Sequence, residues 1–164
     1  MTEAADGRLA EVTIDTLEKL AFLFASPMDA PAEVDERAFS TVRVDFGGAL
    51  SGGMELSLSG PVLAELAANM LGAMEGEALT ADEQQDALKE LANVICGNVL
   101  PELGGHEAEF NIQTPYPVPA NRPQWNAPAA ACHLLLENGL CRVRVRLQDG
   151  AMPVPAGAGP DAQR

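Results

Sequence analysis

Aromatic residues are scarce in this sequence, and lysine is scarcer still. Five Phe, one Trp and one Tyr make up 4% of the 164 residues, so a core must be built mainly from aliphatic side chains and Met. The only lysines are Lys19 and Lys89, and the formal net charge is −14. Nucleic-acid backbones and anionic membranes are bound by clustered positive charge. The composition therefore argues against both as partners.

The three cysteines, Cys96, Cys132 and Cys141, show neither CxxC spacing nor an accompanying histidine pattern. Each lies at a position that the apolar pattern predicts to face inward, where a reduced thiol acts as a small hydrophobe. No apolar run approaches the roughly 20 residues of a membrane span. The start of the sequence also lacks the basic-then-apolar layout of a signal peptide. We therefore expect a cytoplasmic protein.

Motifs of self-contained enzymes are missing as well. There is no GxGxxG, no Walker loop, no zincin motif and no nucleophile elbow. His106 with Glu107 and Glu109 could form a metal site, but three residues close together at the start of a strand rarely converge on one ion. His133 lies among leucines without an acidic orienter nearby. We therefore predict no metal and no cofactor of the protein's own.

What the sequence does contain is a clear alternation of helical and strand periodicity. We predict one domain over residues 8–148, with flexible tails at 1–7 and 149–164. The predicted elements are a helix over 8–26, strands over 41–46 and 54–58, a helix opening at Ser59-Gly60-Pro61, a helix over 80–101, and strands over 108–113, 132–136 and 140–147. This order, α-β-β-α-α-β-β-β, predicts an α+β fold, in which helices pack on a mostly antiparallel sheet.

Three local patterns carry further expectations. The helix after Pro61 is predicted to bury Leu71 and Met74 along with its earlier apolar residues. Asn138-Gly139 predicts a two-residue hairpin of type I′. The five prolines of segment 114–128 predict the absence of regular structure; this segment could cover a sheet edge or form part of a partner surface.

Arg142, Arg144 and Arg146 alternate along the last predicted strand and share one of its faces. On an acidic protein such a stripe could bind an anion. The interpretations that we favour are that the stripe lies on a solvated sheet face, or that it forms a charged edge that prevents unwanted strand pairing.

The predicted helix over 80–101 has the pattern of greatest functional interest. Thr80 and Glu83 form a capping-box pattern at its start, and Pro101 followed by two glycines should end it. One face is apolar and predicts packing against the sheet. The opposite face contains Asp86, Glu90, Asn93 and Gly97, at the spacing of successive helical turns. Taken alone, these polar residues could simply be solvated.

The segment ELANVICGN (90–98), with Asp86 before it and Pro115 after it, resembles the signature of CheX-type members of the CheC/CheX/FliY chemotaxis phosphatases. The resemblance also covers the order of elements over 8–148 and implies a CheC-like fold. It implies hydrolysis of the aspartyl phosphate on a phosphorylated CheY-type receiver. Asn93 would then orient the attacking water, and Glu90 would pair with a receiver lysine. The Mg²⁺ would be supplied by the receiver.

One departure from the family pattern limits what the resemblance implies. CheC-type members contain a second copy of the motif on the first helix, whereas Glu18 here has no Asn three residues on. One site per chain is therefore expected, as in the CheX type, in which a homodimer is also plausible. Asp86 and Gly97 are predicted to contact the partner, Gly97 by allowing close approach of its backbone. A non-catalytic module that binds receivers, or a dimerisation domain, is the alternative.

Overall fold

A computed structural model describes residues 3–74 and 76–148. In chain order its elements are α1 (Glu3–Ala21), β1 (Ala25–Met28), a 3₁₀ turn (Glu36–Ala38), β2 (Phe39–Gly48), β3 (Gly52–Ser59), α2 (Gly60–Leu71), α3 (Ala81–Gly104), β4 (Phe110–Ile112), β5 (Tyr116–Val118), β6 (Ala130–Leu136) and β7 (Gly139–Leu147). The predicted α+β class is confirmed, with two short strands, β1 and β5, added to the predicted order.

All seven strands pair antiparallel in one sheet. The order across the sheet is β1-β6-β7-β3-β2-β4, and β5 also pairs with β2. The strand β7 is thus central, between β3 and β6, and β1 lies at one edge.

The three helices cover one face of this sheet and form the main core with it. Alternate residues of the long strands, such as Val42, Leu56 and Val143, point into that core and are fully buried. From α3 the core receives Leu88, Leu91 and the following buried positions. No helix within 3–74 and 76–148 is long and apolar enough to span a membrane.

The bounds of α1 differ from the prediction at both ends. The helix begins at Glu3, so residues 3–7, which were predicted to be flexible, are helical. This first part is attached to β6, because the Asp6 carboxylate accepts a 2.9 Å hydrogen bond from the Ala131 backbone N–H. The helix ends at Ala21 because Phe22 takes a left-handed conformation. The chain then extends as β1, and Phe24 is exposed rather than packed on a helical apolar face. The predicted tail over 149–164 lies outside the described residues.

The prediction that α2 continues its buried face to Met74 is wrong. Gly72 adopts a left-handed conformation with φ 65° and caps the helix after Leu71. As a result Leu71 is 52% exposed and Met74 is 77% exposed.

The hairpin between β6 and β7 is not the predicted type I′ turn. Leu136 pairs with Gly139, so the two turn residues are Glu137 and Asn138. A type I′ turn needs positive φ at both, yet Phe22 is the only non-glycine residue with positive φ within the described ranges. Gly139 is the first residue of β7, and a Cβ there would lie 2.1 Å from the Ser59 hydroxyl oxygen.

The proline-rich segment contains one regular element that the sequence analysis excluded. Residues Tyr116–Val118 form β5 beside β2, with Pro117 opposite Val42. A proline is tolerated there because β5 is an outer strand, whose proline nitrogen can point away from the sheet. The remainder of the segment crosses the sheet face that the helices leave free.

Candidate active site

Helix α3 presents the two candidate catalytic residues, Glu90 and Asn93. The start of the helix is fixed by the predicted capping box. The Thr80 hydroxyl oxygen accepts a hydrogen bond from the Glu83 backbone N–H at 3.1 Å, and the Glu83 carboxylate accepts one from the Thr80 N–H at 3.0 Å. Both bonds satisfy amides that a helix start leaves free. The helix continues through Pro101, so the prediction that it ends there is wrong. The two glycines predicted with Pro101 do end it, because Gly104 is the last helical residue and Gly105 is the C-cap.

Glu90 and Asn93 are both exposed on α3, on the side away from its buried residues. Residues three apart on a helix are neighbours on its surface. Asp86, one turn before Glu90, is exposed as well. The predicted polar front of the helix is therefore present, with an acid and an amide adjacent to each other. The roles assigned to these residues stay predictions.

The back of α3 keeps this front in place. Nine residues of the helix are buried, among them Leu88, Leu91 and Ile95, which are fully inaccessible. They pack against α1, α2 and the sheet. Because the apolar face is fixed over most of the helix length, Glu90 and Asn93 project from a rigid support rather than from a loop.

Gly97 lies one turn beyond Asn93 and is half-buried, beside β4. A Cβ at this position would have the Ile112 Cδ1 atom at 3.9 Å as its nearest neighbour, which is an ordinary contact. Pro101 has no N–H to donate to the carbonyl of Gly97, which is its i−4 partner in a regular helix. The packing within the protein thus does not require glycine here.

The other sequence candidates do not form a second site. The His106 Nε2 atom lies 3.0 Å from a carboxylate oxygen of Glu102 on the exposed surface. The acid that contacts His106 here is therefore Glu102 and not Glu107 or Glu109. No group of three metal-ligating side chains occurs in the described part of the chain. Burial raises the pKa of the Cys96 and Cys132 thiols to about 12 and raises that of Cys141 as well, so these thiols are poor nucleophiles.

The arginine stripe has a different environment from either predicted one. Because β7 is central in the sheet, it is not an edge, and Arg142 is only 5% exposed. Of the three arginines only Arg146 is exposed. The other two belong to an ionic cluster on the sheet face opposite the helices, which we call the outer-face cluster: Glu36, Arg43, Glu55, Arg122, Arg142 and Arg144.

Glu55 is the centre of the outer-face cluster. It is 3% exposed and accepts hydrogen bonds from Arg43, Arg122 and Arg144. Burial alone would raise the pKa of Glu55, but the hydrogen bonds and positive charges of Arg122 and Arg43 together outweigh it, and the pKa is lowered. Arg142 donates two hydrogen bonds of 2.7 Å to Glu36, whose pKa they also lower.

The cluster also attaches the proline-rich segment to the sheet. Arg122 belongs to that segment, and Trp125 lies over the Arg43 guanidinium at 5.2 Å. Tyr116 donates a 2.8 Å hydrogen bond to Asp45. Glu55 and Arg122 were not predicted from the sequence as members of any site. Their residue types were visible, but the adjacency of β3 and β7 and the path of the segment were not.

Comparison with known proteins identifies the family. The sequence matches the family described as chemotaxis phosphatase CheX over residues 40–134. The chain belongs to the CheX family. The matched range contains α3 with Glu90 and Asn93, and also Pro115, so the resemblance seen in the sequence is confirmed at the family level.

Solved CheX structures share the fold of this CheX-family chain. CheX from Desulfovibrio desulfuricans is 15% identical, with a TM-score of 0.69 over 88% of this chain and 99% of that one. CheX from Vibrio vulnificus is 18% identical, with a TM-score of 0.68 over 90% and 97%. A chain of the CheX–CheY–BeF3–Mg²⁺ complex from Borrelia burgdorferi is 14% identical, with a TM-score of 0.63 over 87% and 97%. A comparison with curated proteins finds no match.

Proposed function

We propose that this CheX-family chain hydrolyses the aspartyl phosphate of a phosphorylated CheY-type receiver, with Asn93 orienting the attacking water and Glu90 pairing with a receiver lysine. The observation that carries the proposal is the exposure of both side chains on one face of a helix whose opposite face is buried. The Borrelia burgdorferi complex of CheX with CheY supports the class of partner.

An amide suits the position next to a phosphoryl group better than an acid does. A carboxylate would be repelled by the phosphoryl charge, whereas the neutral carboxamide of Asn93 both donates and accepts hydrogen bonds. It can therefore hold a water by the carbonyl oxygen and a phosphoryl oxygen by the N–H₂ group. The acyl phosphate leaves as a carboxylate, so positioning rather than strong base catalysis is required.

The charge of Glu90 suits a different task. Within residues 3–74 and 76–148, the Glu90 carboxylate forms no ion pair of 4.0 Å or less. A cation on the partner can therefore pair with it without first displacing an internal one. Because Glu90 lies one turn from Asn93, pairing with a receiver lysine would align the amide with the phosphoryl group. Asp86 would extend this acidic contact by one further turn.

The decisive experiment measures phosphate release from a phosphorylated receiver in the presence of wild-type chain, Asn93→Ala or Glu90→Ala. Asn93→Ala should lower kcat by about a hundredfold, which corresponds to about 2.7 kcal/mol of lost transition-state stabilisation, with little change in binding. Glu90→Ala should mainly weaken binding to the BeF3-activated receiver, measured by fluorescence anisotropy.

Two matched controls are present in the chain. Asn98→Ala removes a carboxamide from the same helix, where Asn98 instead donates a hydrogen bond to Thr16 at 3.3 Å. Glu11→Ala removes an exposed acid from α1. Neither should change turnover. Receiver binding with turnover unaffected by Asn93→Ala would reject catalysis and favour the non-catalytic receiver-binding module.

The proposed homodimer is a separate question from the phosphatase activity. Two of the outer strands contain a proline, Pro27 in β1 and Pro117 in β5. Proline has no N–H to donate, so pairing of these strands between two chains would lose hydrogen bonds at both positions. If the chain dimerises, we propose that the contact avoids Pro27 and Pro117.

A further inference from the structure

Four of the exposed large apolar side chains lie at or just after the C-terminal ends of α1 and α2. Six large apolar residues are exposed in the described part of the chain, namely Phe22, Phe24, Leu71, Met74, Tyr116 and Leu135. Phe22 follows the last residue of α1, and Leu71 is the last residue of α2. The Asn69 side chain joins the two helix ends by donating a 2.8 Å hydrogen bond to the Ala21 carbonyl. We call Phe22, Phe24, Leu71 and Met74 the Phe22 patch. Leu135 lies nearby, opposite Ser26 of β1.

The use of aromatic residues makes this patch unusual for this chain. The sequence has only five Phe, yet Phe22 is 69% exposed and Phe24 is 72% exposed. Phe side chains contribute most to stability when they are buried. Contiguous exposed apolar surface marks contact sites more often than single exposed residues do.

The backbone at Phe22 gives an independent reason to assign a function to the patch. The φ angle of Phe22 is 55°, in the left-handed region that residues other than Gly and Asn rarely adopt. The position is the helix C-cap turn, where Phe22 N–H donates to the Glu18 carbonyl and Leu23 N–H donates to the Leu17 carbonyl. Glycine is the usual residue there. An exposed Phe in a strained conformation contributes to neither packing nor backbone stability.

The charges around the patch indicate what would bind there. Glu18 and Glu77 are exposed acids whose backbones hydrogen-bond to Phe22 and Met74, respectively. Glu137 is exposed beyond the end of β6, close to Leu135. The nearby cation, Lys19, is paired with Asp15 at 3.0 Å. The rim of the patch is therefore acidic.

We infer that the Phe22 patch binds a basic amphipathic segment of another protein, with apolar side chains on Phe22 and Phe24 and Lys or Arg side chains on the acidic rim. A second copy of this chain would bring one acidic rim against another, and the two chains, each with a formal net charge of −14, would repel each other. An anionic membrane would be repelled for the same reason. The Phe22 patch shares no residue with the proposed catalytic pair, Glu90 and Asn93, and the inference does not depend on the proposed phosphatase activity.

The test uses the full chain and a fluorescein-labelled 18-residue synthetic helix of Leu and Lys, with Leu at helical spacing. A peptide with Glu in place of each Lys is the control for charge. The Leu/Lys peptide should bind and the Leu/Glu peptide should not. Phe24→Ser should weaken binding about tenfold or more, as expected for an aromatic anchor. Asn93→Ala should leave this binding unchanged.

Two further variants separate binding from folding. Phe22→Gly should weaken peptide binding while raising the Tm, because glycine relieves the left-handed backbone. Tyr116→Ser, which removes an exposed aromatic ring outside the patch, should leave peptide binding unchanged. Equal binding of both peptides, or binding of neither, would overturn the inference. Self-association or binding to anionic vesicles that is abolished by Phe24→Ser would also overturn it, in favour of a second copy or a membrane.

Discussion

Gly97 lies beside the proposed catalytic pair, at a position where glycine weakens a helix. Glycine in a helix interior destabilises by roughly 0.5–1 kcal/mol relative to alanine. The nearest atom to a Cβ at 97 would be the Ile112 Cδ1 at 3.9 Å, so internal packing leaves room for a side chain. Internal packing therefore gives no reason for glycine at this position, whereas close approach of a partner's backbone would give one.

Gly97→Ala should therefore stabilise the fold and weaken receiver docking. We expect the free energy of unfolding to rise by roughly 0.5–1 kcal/mol in urea titrations, and binding of the BeF3-activated receiver to weaken. Gly104→Ala is the matched control on the same helix, where a Cβ would lie 2.8 Å from the Phe110 Cζ atom and the fold should be destabilised. Unchanged docking of Gly97→Ala would remove Gly97 from the partner surface.

At the scale of elements, the outer-face cluster attaches two irregular segments to the sheet by charge rather than by apolar packing. Glu36 belongs to the segment before β2 and Arg122 to the proline-rich segment. Four guanidinium groups meet two carboxylates, so the cluster has a formal excess of two positive charges. Among residues 3–74 and 76–148, no group accepts a hydrogen bond from the buried Nε atom of Arg144. Arg144 is thus incompletely compensated, which makes the cluster sensitive to loss of either carboxylate.

Glu55→Gln should release the proline-rich segment at neutral pH. The substitution removes the shared counter-charge of the buried Arg122 and of the half-buried Arg43 and Arg144. Breaking a buried ion pair in this way costs about 3–5 kcal/mol. Trp125, the only Trp, lies on Arg43 and reports the position of the segment. Its fluorescence should shift toward that of solvated Trp. Glu33→Gln, which changes an exposed acid in the preceding connector, is the control. An unchanged Trp125 signal in Glu55→Gln would show that other contacts hold the segment.

Acid should have the same effect as Glu55→Gln. The pKa values of Glu55 and Glu36 are lower in the folded chain than the ordinary value of 4.5. Their contribution to stability is therefore complete above pH 4.5 and is lost as the pH falls below it through the lowered folded values. In an acid titration the Trp125 signal should change within that range and ahead of far-UV circular dichroism. Simultaneous change of both signals would mean that the segment and the helices unfold as one unit.

At the scale of the whole molecule, net charge is the dominant feature. With a formal charge of −14, exposed acidic groups repel one another in the compact state. Exposed charges more than a Debye length apart are screened by salt, and that length is about 10 Å at 0.1 M. The outer-face cluster is buried and is screened less. Added salt should therefore mainly weaken the repulsion between exposed acidic groups.

Raising NaCl from about 20 to about 200 mM should stabilise the fold, by on the order of 1 kcal/mol. Urea titrations at both concentrations would measure the change. A Glu11→Gln, Glu107→Gln double variant, with two exposed acids neutralised, should show a smaller response to salt. A fall in stability with salt would indicate that exposed ion pairs outweigh the repulsion.

Local patterns alone determined much of the fold and of the candidate site. The capping box, the strand alternation and the two-sided pattern of α3 depend on neighbours within a few residues, so each could be read directly from the sequence. The same holds for Glu90 and Asn93, whose shared face follows from helical geometry once the helix is placed. The end of α1, in contrast, depended on the conformation of Phe22, which no propensity favours.

The tertiary structure decided what lies on the second face of the sheet. An alternating strand shows only that one side faces away from the core, and solvent was the simplest expectation for Arg142 and Arg144. Their burial follows from contacts far apart in sequence, such as Arg144 with Glu55 and Arg142 with Glu36. Strand order and the path of irregular segments determine such contacts, and both emerge only when the whole chain packs. The charged residues were visible in the sequence, but which charges meet was set by the fold.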